Sequence, residues 1–123
     1  VKLVIPRVTP SGNEMRRKYR NPHVYQQLRG EWETELFVAF DSMESYQNQK
    51  TKAKCRERLR VAVTRFGKKL LDRDNLYSGV KAPLDAMARL GIIRGDSEDD
   101  IELIVKQELS KEPHTEIEIE ARS

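Results

Sequence analysis

Apolar positions along the chain change their spacing several times, and each change marks a predicted element. Residues 2–8, KLVIPRV, alternate in the manner of a strand, with Pro6 placing it near an edge or an irregularity. Residues 9–22 are rich in turn formers and cations and read as a loop. From Asn21 the spacing becomes helical. Asn21 can cap, Pro22 suits the first helical position, and Tyr25, Leu28, Trp32, Leu36, Ala39/Phe40 and Met43 share one stripe, with Gly30 the weak point. Residues 45–54, SYQNQKTKAK, are polar and basic and predict a mobile connection. Next, CRERLRVAVTRF alternates, with Cys55, Glu57, Leu59, Val61 and Val63 on one face and Arg56, Arg58, Arg60, Ala62 and Thr64 on the other. A short helix over 80–90 carries Pro83 near its first turn, a stripe of Leu84, Met87 and Leu90, and Gly91 at its end. IELIVKQEL and HTEIEIEAR alternate on either side of SKEP and predict consecutive antiparallel strands. The order strand, helix, strand, helix, strand, strand predicts one α+β domain over residues 1–123, a mixed or antiparallel sheet with two main helices packed on one face.

Length and charge narrow the picture. A chain of 123 residues holds one modest core, hence one site, which a second subunit would complete. Charged residues are 35% of the chain and the apolar runs are short, which excludes a bilayer span; VKLVIPRV lacks the apolar stretch of a signal peptide, so the expected address is cytoplasmic. The single Cys55 forms no internal disulfide and reads as a small buried residue. With only His23 and His114 there is no zinc pattern, so any metal would sit on carboxylates. The net charge of +3 conceals an asymmetry: residues 1–81 carry 18 Lys/Arg against 9 Asp/Glu, and residues 82–123 carry 5 against 11. A basic amino-terminal two thirds suits a polyanionic partner, and equally a solvated surface with an acidic end.

The candidate chemistry lies in LLDRDNLYSGVKAPLDAMARLGIIRGD, residues 70–96. If residues 68–74 leave the sheet in extended form, Asp72 and Asp74 project from one side. Two carboxylates so placed repel unless a cation sits between them, and Mg²⁺, hard and oxygen-seeking, is the natural filler. The helix over 80–90 and the following GIIRGD give the chain the means to return Asp96 toward them, with Lys81 nearby as a supporting cation. The same residues admit simpler roles: Asp74-Asn75 as a helix cap, and Lys81 with Asp85 as an i, i+4 ion pair.

Taken together, Asp72-Arg73-Asp74-Asn75-Leu76, Lys81 four residues before Asp85-Ala86-Met87, Gly91-Ile92-Ile93 and Asp96 resemble the RusA family of Holliday-junction resolvases. Pro10-Ser11-Gly12-Asn13 after the first strand is similar to that family's Pro-Ser-x-Asn loop. The resemblance implies a small RusA-like α+β homodimer, a Mg²⁺-dependent endodeoxyribonuclease (Mn²⁺ a possible substitute) that cuts four-way DNA junctions in recombination and repair. It implies Asp72, Asp74 and Asp96 as metal-binding and catalytic, and Lys81 as the supporting cation. Three positions depart from the family pattern: Lys81 matches only if three residues such as Tyr77-Ser78-Gly79 are inserted, Gly95 replaces the first of an acid pair, and Thr9 replaces a proline.

Arg16, Arg17, Lys18 and Arg20, with Lys68 and Lys69, are the candidate DNA contacts; Lys50, Lys52 and Lys54 are plausible ones too, and all serve equally as solubilising charges. Tyr19 and Tyr25 are candidates for stacking on an exposed base, although Tyr25 shares the apolar stripe and core packing suits it better. Trp32 and Phe40 are assigned to the core. Beside the nuclease stand two other readings: a branched-DNA-binding module, weak or inactive as an enzyme, which Gly95 and the displaced lysine favour, and a protein-interaction domain that uses its strand edges.

Overall fold

The computed structural model describes residues 1–55 and 58–121, which form one small α+β domain with a mixed four-stranded sheet. The elements run β1 (Lys2–Ile5), α1 (Gly12–Arg17), α2 (Pro22–Ala39), α3 (Met43–Lys54), β2 (Leu59–Gly67), α4 (Arg73–Ser78), α5 (Lys81–Leu90), β3 (Ile101–Leu109) and β4 (His114–Ala121). Strand order is β1-β4-β2-β3, with β3 parallel to β2, and β4 antiparallel to both β1 and β2.

Alternation fixes which face is buried. Leu3, Ile5, Leu59, Val61, Val63, Ile101, Ile117 and Ile119 point inward and are at most 5% exposed. Against them α2 sets Leu28, Trp32 and Leu36, and α5 sets Ala82, Leu84, Ala86 and Met87. α2 begins as its sequence predicts, with the Asn21 side chain accepting from His23 N–H and Pro22 in the first turn. α5 ends on Gly91, whose φ of 77° is the left-handed conformation that glycine adopts without penalty.

Four expectations change. The loop over 9–22 contains α1, because Ser11 and Glu14 form a reciprocal capping box. The polar segment 45–54 is helical: Ser42 caps Ser45 N–H, and α3 docks through the Gln49 amide on the Ile92 carbonyl (3.0 Å) and the Tyr46 hydroxyl on the Leu90 carbonyl (2.9 Å). Met43 therefore starts α3 rather than ending the α2 stripe, and among the described residues α3 joins α2 and α5, the two main helices packed on the sheet, as a third helix of ten or more residues. The strands β3 and β4 run in opposite directions but are not neighbours; they flank β2, the Ser110–Pro113 connection crossing two strand spacings of about 4.8 Å each. Cys55 caps the end of α3 and is exposed rather than buried. The predicted strand positions Arg56 and Glu57 lie outside the described residues. No helix among the described residues is long and apolar enough to cross a membrane.

Candidate functional site

The loop before α1 and the start of α4 meet at two glycines. A Cβ on Gly12 would come within 2.7 Å of Asn75 Oδ1, and one on Gly79 within 1.8 Å of the Pro10 carbonyl oxygen. This approach brings Pro10-Ser11-Gly12 against α4 at Asn75, Ser78 and Gly79, segments more than about sixty residues apart in sequence. Beneath them Arg65, 8% exposed, donates from Nε to the Thr9 carbonyl (3.1 Å) and from Nη1 to the Lys69 carbonyl (3.3 Å). A buried guanidinium thus ties both loops to β2. Burial lowers its pKa and the field of Glu14 opposes that shift.

Between α1, α4, α5 and β3 lies a cleft of about 970 Å³. Its rim carries Arg16, Arg20, Lys81 and Asp96; Tyr19, Tyr25 and Tyr77 line its walls, with Met15, Leu84 and Leu103 below. Lys81 Nζ sits 5.0 Å from the centre of the Tyr25 ring, and Asp85 accepts the Tyr25 hydroxyl. Burial pushes the Tyr25 hydroxyl pKa up, the Asp85 hydrogen bond adds to the rise, and Asp96 contributes weakly through space. Tyr25 therefore stays protonated and holds Asp85, while Lys81 lies over the ring face; among the described residues no ion pair joins Lys81 to Asp85.

The three candidate acids are not gathered into one cluster. Residues 72–75 start a helix instead of continuing a strand. Asp72 is the N-cap of α4, accepting Asn75 N–H at 3.0 Å on Oδ1 and Asn75 Nδ2 at 2.7 Å on Oδ2. The shared strand face expected for Asp72 and Asp74 is thereby replaced by a cap and a first-turn residue. Asp74 lies exposed one turn before Ser78, a cleft residue whose hydroxyl donates to the Asp74 carbonyl at 2.8 Å. Asp96 is exposed at the cleft itself. Among the described residues no group of three or more His, Cys, Asp or Glu side chains is placed to hold a metal. Asp72's oxygens are engaged by Asn75, whereas the Asp74 and Asp96 side chains accept no hydrogen bond from the described residues. The donor set does not suit a closed three-carboxylate cage. Among the described residues Asp96 is the acid that lines the cleft, and one carboxylate with water and phosphate oxygens is a shell that a hard cation such as Mg²⁺ accepts.

Of the candidate cations, Arg16 and Arg20 reach the cleft; Arg17 and Lys18 are exposed elsewhere on α1, and Lys68 lines a separate shallow depression with Lys111. Lys69 is exposed and contributes its carbonyl to Arg65. Tyr19, a candidate for stacking on a base, lines the cleft, whereas the sequence did not single out Tyr77 or Arg65 as site residues; the glycines at 12 and 79, flanking small polar residues, were the local signal of the close approach.

The Asn75 backbone N–H holds the Asp72 carboxyl below its usual range, the Asn75 side chain adds to this, and Arg16 assists weakly. A carboxylate depressed in the folded state contributes stability above its unfolded pKa and loses it as pH falls through the folded value. An NMR titration should find Asp72 below an ordinary aspartate, and Asn75→Ala, which removes the side-chain donor but keeps the backbone N–H, should move it only part of the way back up; an ordinary Asp72 value in the wild type would mean that this side chain does not cap α4.

The fold and site define an α+β domain with a cationic, tyrosine-walled cleft bordered by the exposed Asp96. No family model matches the chain, and no curated protein matches it.

Proposed function

We propose that the protein is a Mg²⁺-dependent, structure-selective endodeoxyribonuclease that cuts four-way DNA junctions as a homodimer, in recombination and repair. The observation that carries this reading is the cleft, which assembles Arg16, Arg20, Lys81 and Asp96 next to α4, the helix that carries Asp74 in its first turn. Three cations around one opening bind phosphates, and each adds affinity that salt removes. Lys81, held over the Tyr25 ring, is a fixed positive charge for the negative charge that develops on phosphate oxygens. Held by the exposed carboxylate of Asp96 or of Asp74, with water and phosphate oxygens completing its shell, Mg²⁺ would supply charge neutralisation and a more acidic water. Asp72 orders the start of α4 and so positions Asp74.

A second reading, a branched-DNA-binding module that cuts weakly or not at all, is favoured by the absence of a three-acid cluster among the described residues and by Gly95 in place of an acid. Incubating a labelled four-way junction with protein and Mg²⁺ or chelator separates the two. Paired incision only with the metal supports the nuclease; tight, salt-sensitive binding without incision in Mg²⁺ and Mn²⁺ supports the module.

Binding also tests the cations individually. Arg16→Ala and Arg20→Ala should each weaken junction binding and reduce the slope of log K against log salt by about 0.9. Lys68→Ala, away from the cleft, should change it less. Equal slopes for all three variants and wild type would detach the cleft from DNA.

A further inference from the structure

The geometry points to a specific dimer surface: the edge of β3, paired antiparallel with β3 of a second copy about a two-fold axis at Ile104. The two edges of the sheet are treated differently by the sequence. β1 is four residues long and is followed by Pro6, a short and blunted edge. β3 is nine residues long and carries Leu103, Ile104 and Val105, all half-buried, at its centre, with Lys106 its only cation. A long edge of unpaired peptide groups around an apolar centre is the arrangement that invites another strand.

Charge pattern selects the occupant and the register. With Ile104 opposite Ile104 of the second copy, Leu103 faces Val105 and Glu102 faces Lys106, each pair occurring twice as an isologous interface requires. Glu102 already meets Arg60 at 3.2 Å, so the incoming lysine joins an existing ion pair. Moving the axis to Val105 instead sets Glu102 against Glu108 inside the paired strands, whereas about Ile104 the like-charged Glu108 and Asp100 meet only beyond the strand end, where Arg94 and Ser97 already hold Asp100.

A two-fold of this kind stands normal to the sheet, so the helix-bearing faces of both copies lie on the same side. Leu103, at the floor of the cleft, is one residue from the axis. The two clefts therefore flank the dyad on one face of a continuous eight-stranded sheet. Their use on a two-fold DNA junction rests on the function proposed above; the pairing itself does not.

The test is cysteine cross-linking in the full chain with Cys55→Ser. Facing residues of an antiparallel pair have Cα atoms about 4.5–5.5 Å apart, within disulfide range. Ile104→Cys should give a disulfide-linked dimer on mild oxidation, whereas Val4→Cys, on the other edge and 54% exposed, should not. Wild type should sediment as a dimer, and Lys106→Glu, with unchanged circular dichroism, should raise the dimer dissociation constant at least about tenfold. A monomeric wild type, equal cross-linking at residues 4 and 104, or a dimer broken by Val38→Glu at the exposed α2–α3 corner but not by Lys106→Glu would overturn the proposal. A β3-linked dimer that cuts no DNA supports the surface and sinks the nuclease; a monomer that cuts junctions does the reverse.

Discussion

Asp74→Asn should reduce Mg²⁺-dependent junction cleavage by about 10²–10³-fold, roughly 3–4 kcal/mol of transition-state stabilisation, while leaving junction binding in chelator intact. The substitution keeps the shape of the side chain and removes its charge. Because Asp74 is exposed and engages Ser78 through its backbone carbonyl, folding should change by no more than about 0.5 kcal/mol. Asp96→Asn, also exposed and at the cleft, should behave alike. Removing a negative charge from the site should, if anything, tighten the grip on a polyanion, so a loss of cutting without a loss of binding distinguishes a metal-holding role from a structural one. Asp72→Asn gives the informative contrast. Asparagine caps helices about as well as aspartate, so this variant keeps the start of α4 and should lose less activity than Asp74→Asn. Single-turnover cleavage of a labelled junction provides the readout, and wild-type rates for both Asp74→Asn and Asp96→Asn would sink the assignment.

How far residues alone lead to this picture depends on whether a side chain's role is local. The inward positions of β2 follow from alternation, and the ends of α2 and α5 from Asn21, Pro22 and Gly91, because capping and strand periodicity are properties of a few adjacent residues. α3 escaped the pattern because its buried residues are Gln49 and Ala53, and a polar side chain docked on a distant carbonyl leaves no apolar stripe. Alternation likewise identifies β3 and β4 as strands without saying which strand each joins; β2, apolar at Leu59, Val61 and Val63, took the place between them. In the site, Arg16, Arg20, Lys81 and Asp96 were candidates on residue type and resemblance, and all four border one cleft. The extended path for Asp72 and Asp74 was the weaker inference, since Asp-x-x-Asn starts a helix as readily as it ends a strand. Arg65 shows the limit. It lies on the inward face of β2 in register with the valines, and only the distant carbonyls of Thr9 and Lys69 explain a guanidinium there.

Gly79→Ala should destabilise the protein by about 1–3 kcal/mol and weaken junction cleavage with it, although none of the charged side chains of the cleft changes. The cost is not conformational: Gly79 has φ of −73°, which any residue adopts. It is steric. The added methyl would stand 1.8 Å from the Pro10 carbonyl oxygen and 3.0 Å from its carbon, and a backbone carbonyl cannot swing away as the end of a side chain can. The loop must shift, and Ser11, which caps α1, shifts with it. Gly12 then leaves Asn75, the residue that holds both oxygens of Asp72, and Arg16 on α1 moves relative to Lys81 on α5. Gly30→Ala is the control. A Cβ there meets nothing within 4 Å, so it should stabilise α2 by about 0.5–1 kcal/mol and leave cleavage unchanged. Denaturant midpoints and single-turnover rates of the two variants should therefore diverge in opposite directions. If Gly79→Ala matched wild type in both, the close approach of the Pro10 loop to α4 would not be what sets the cleft, and the spacing of Arg16 from Lys81 would need another cause.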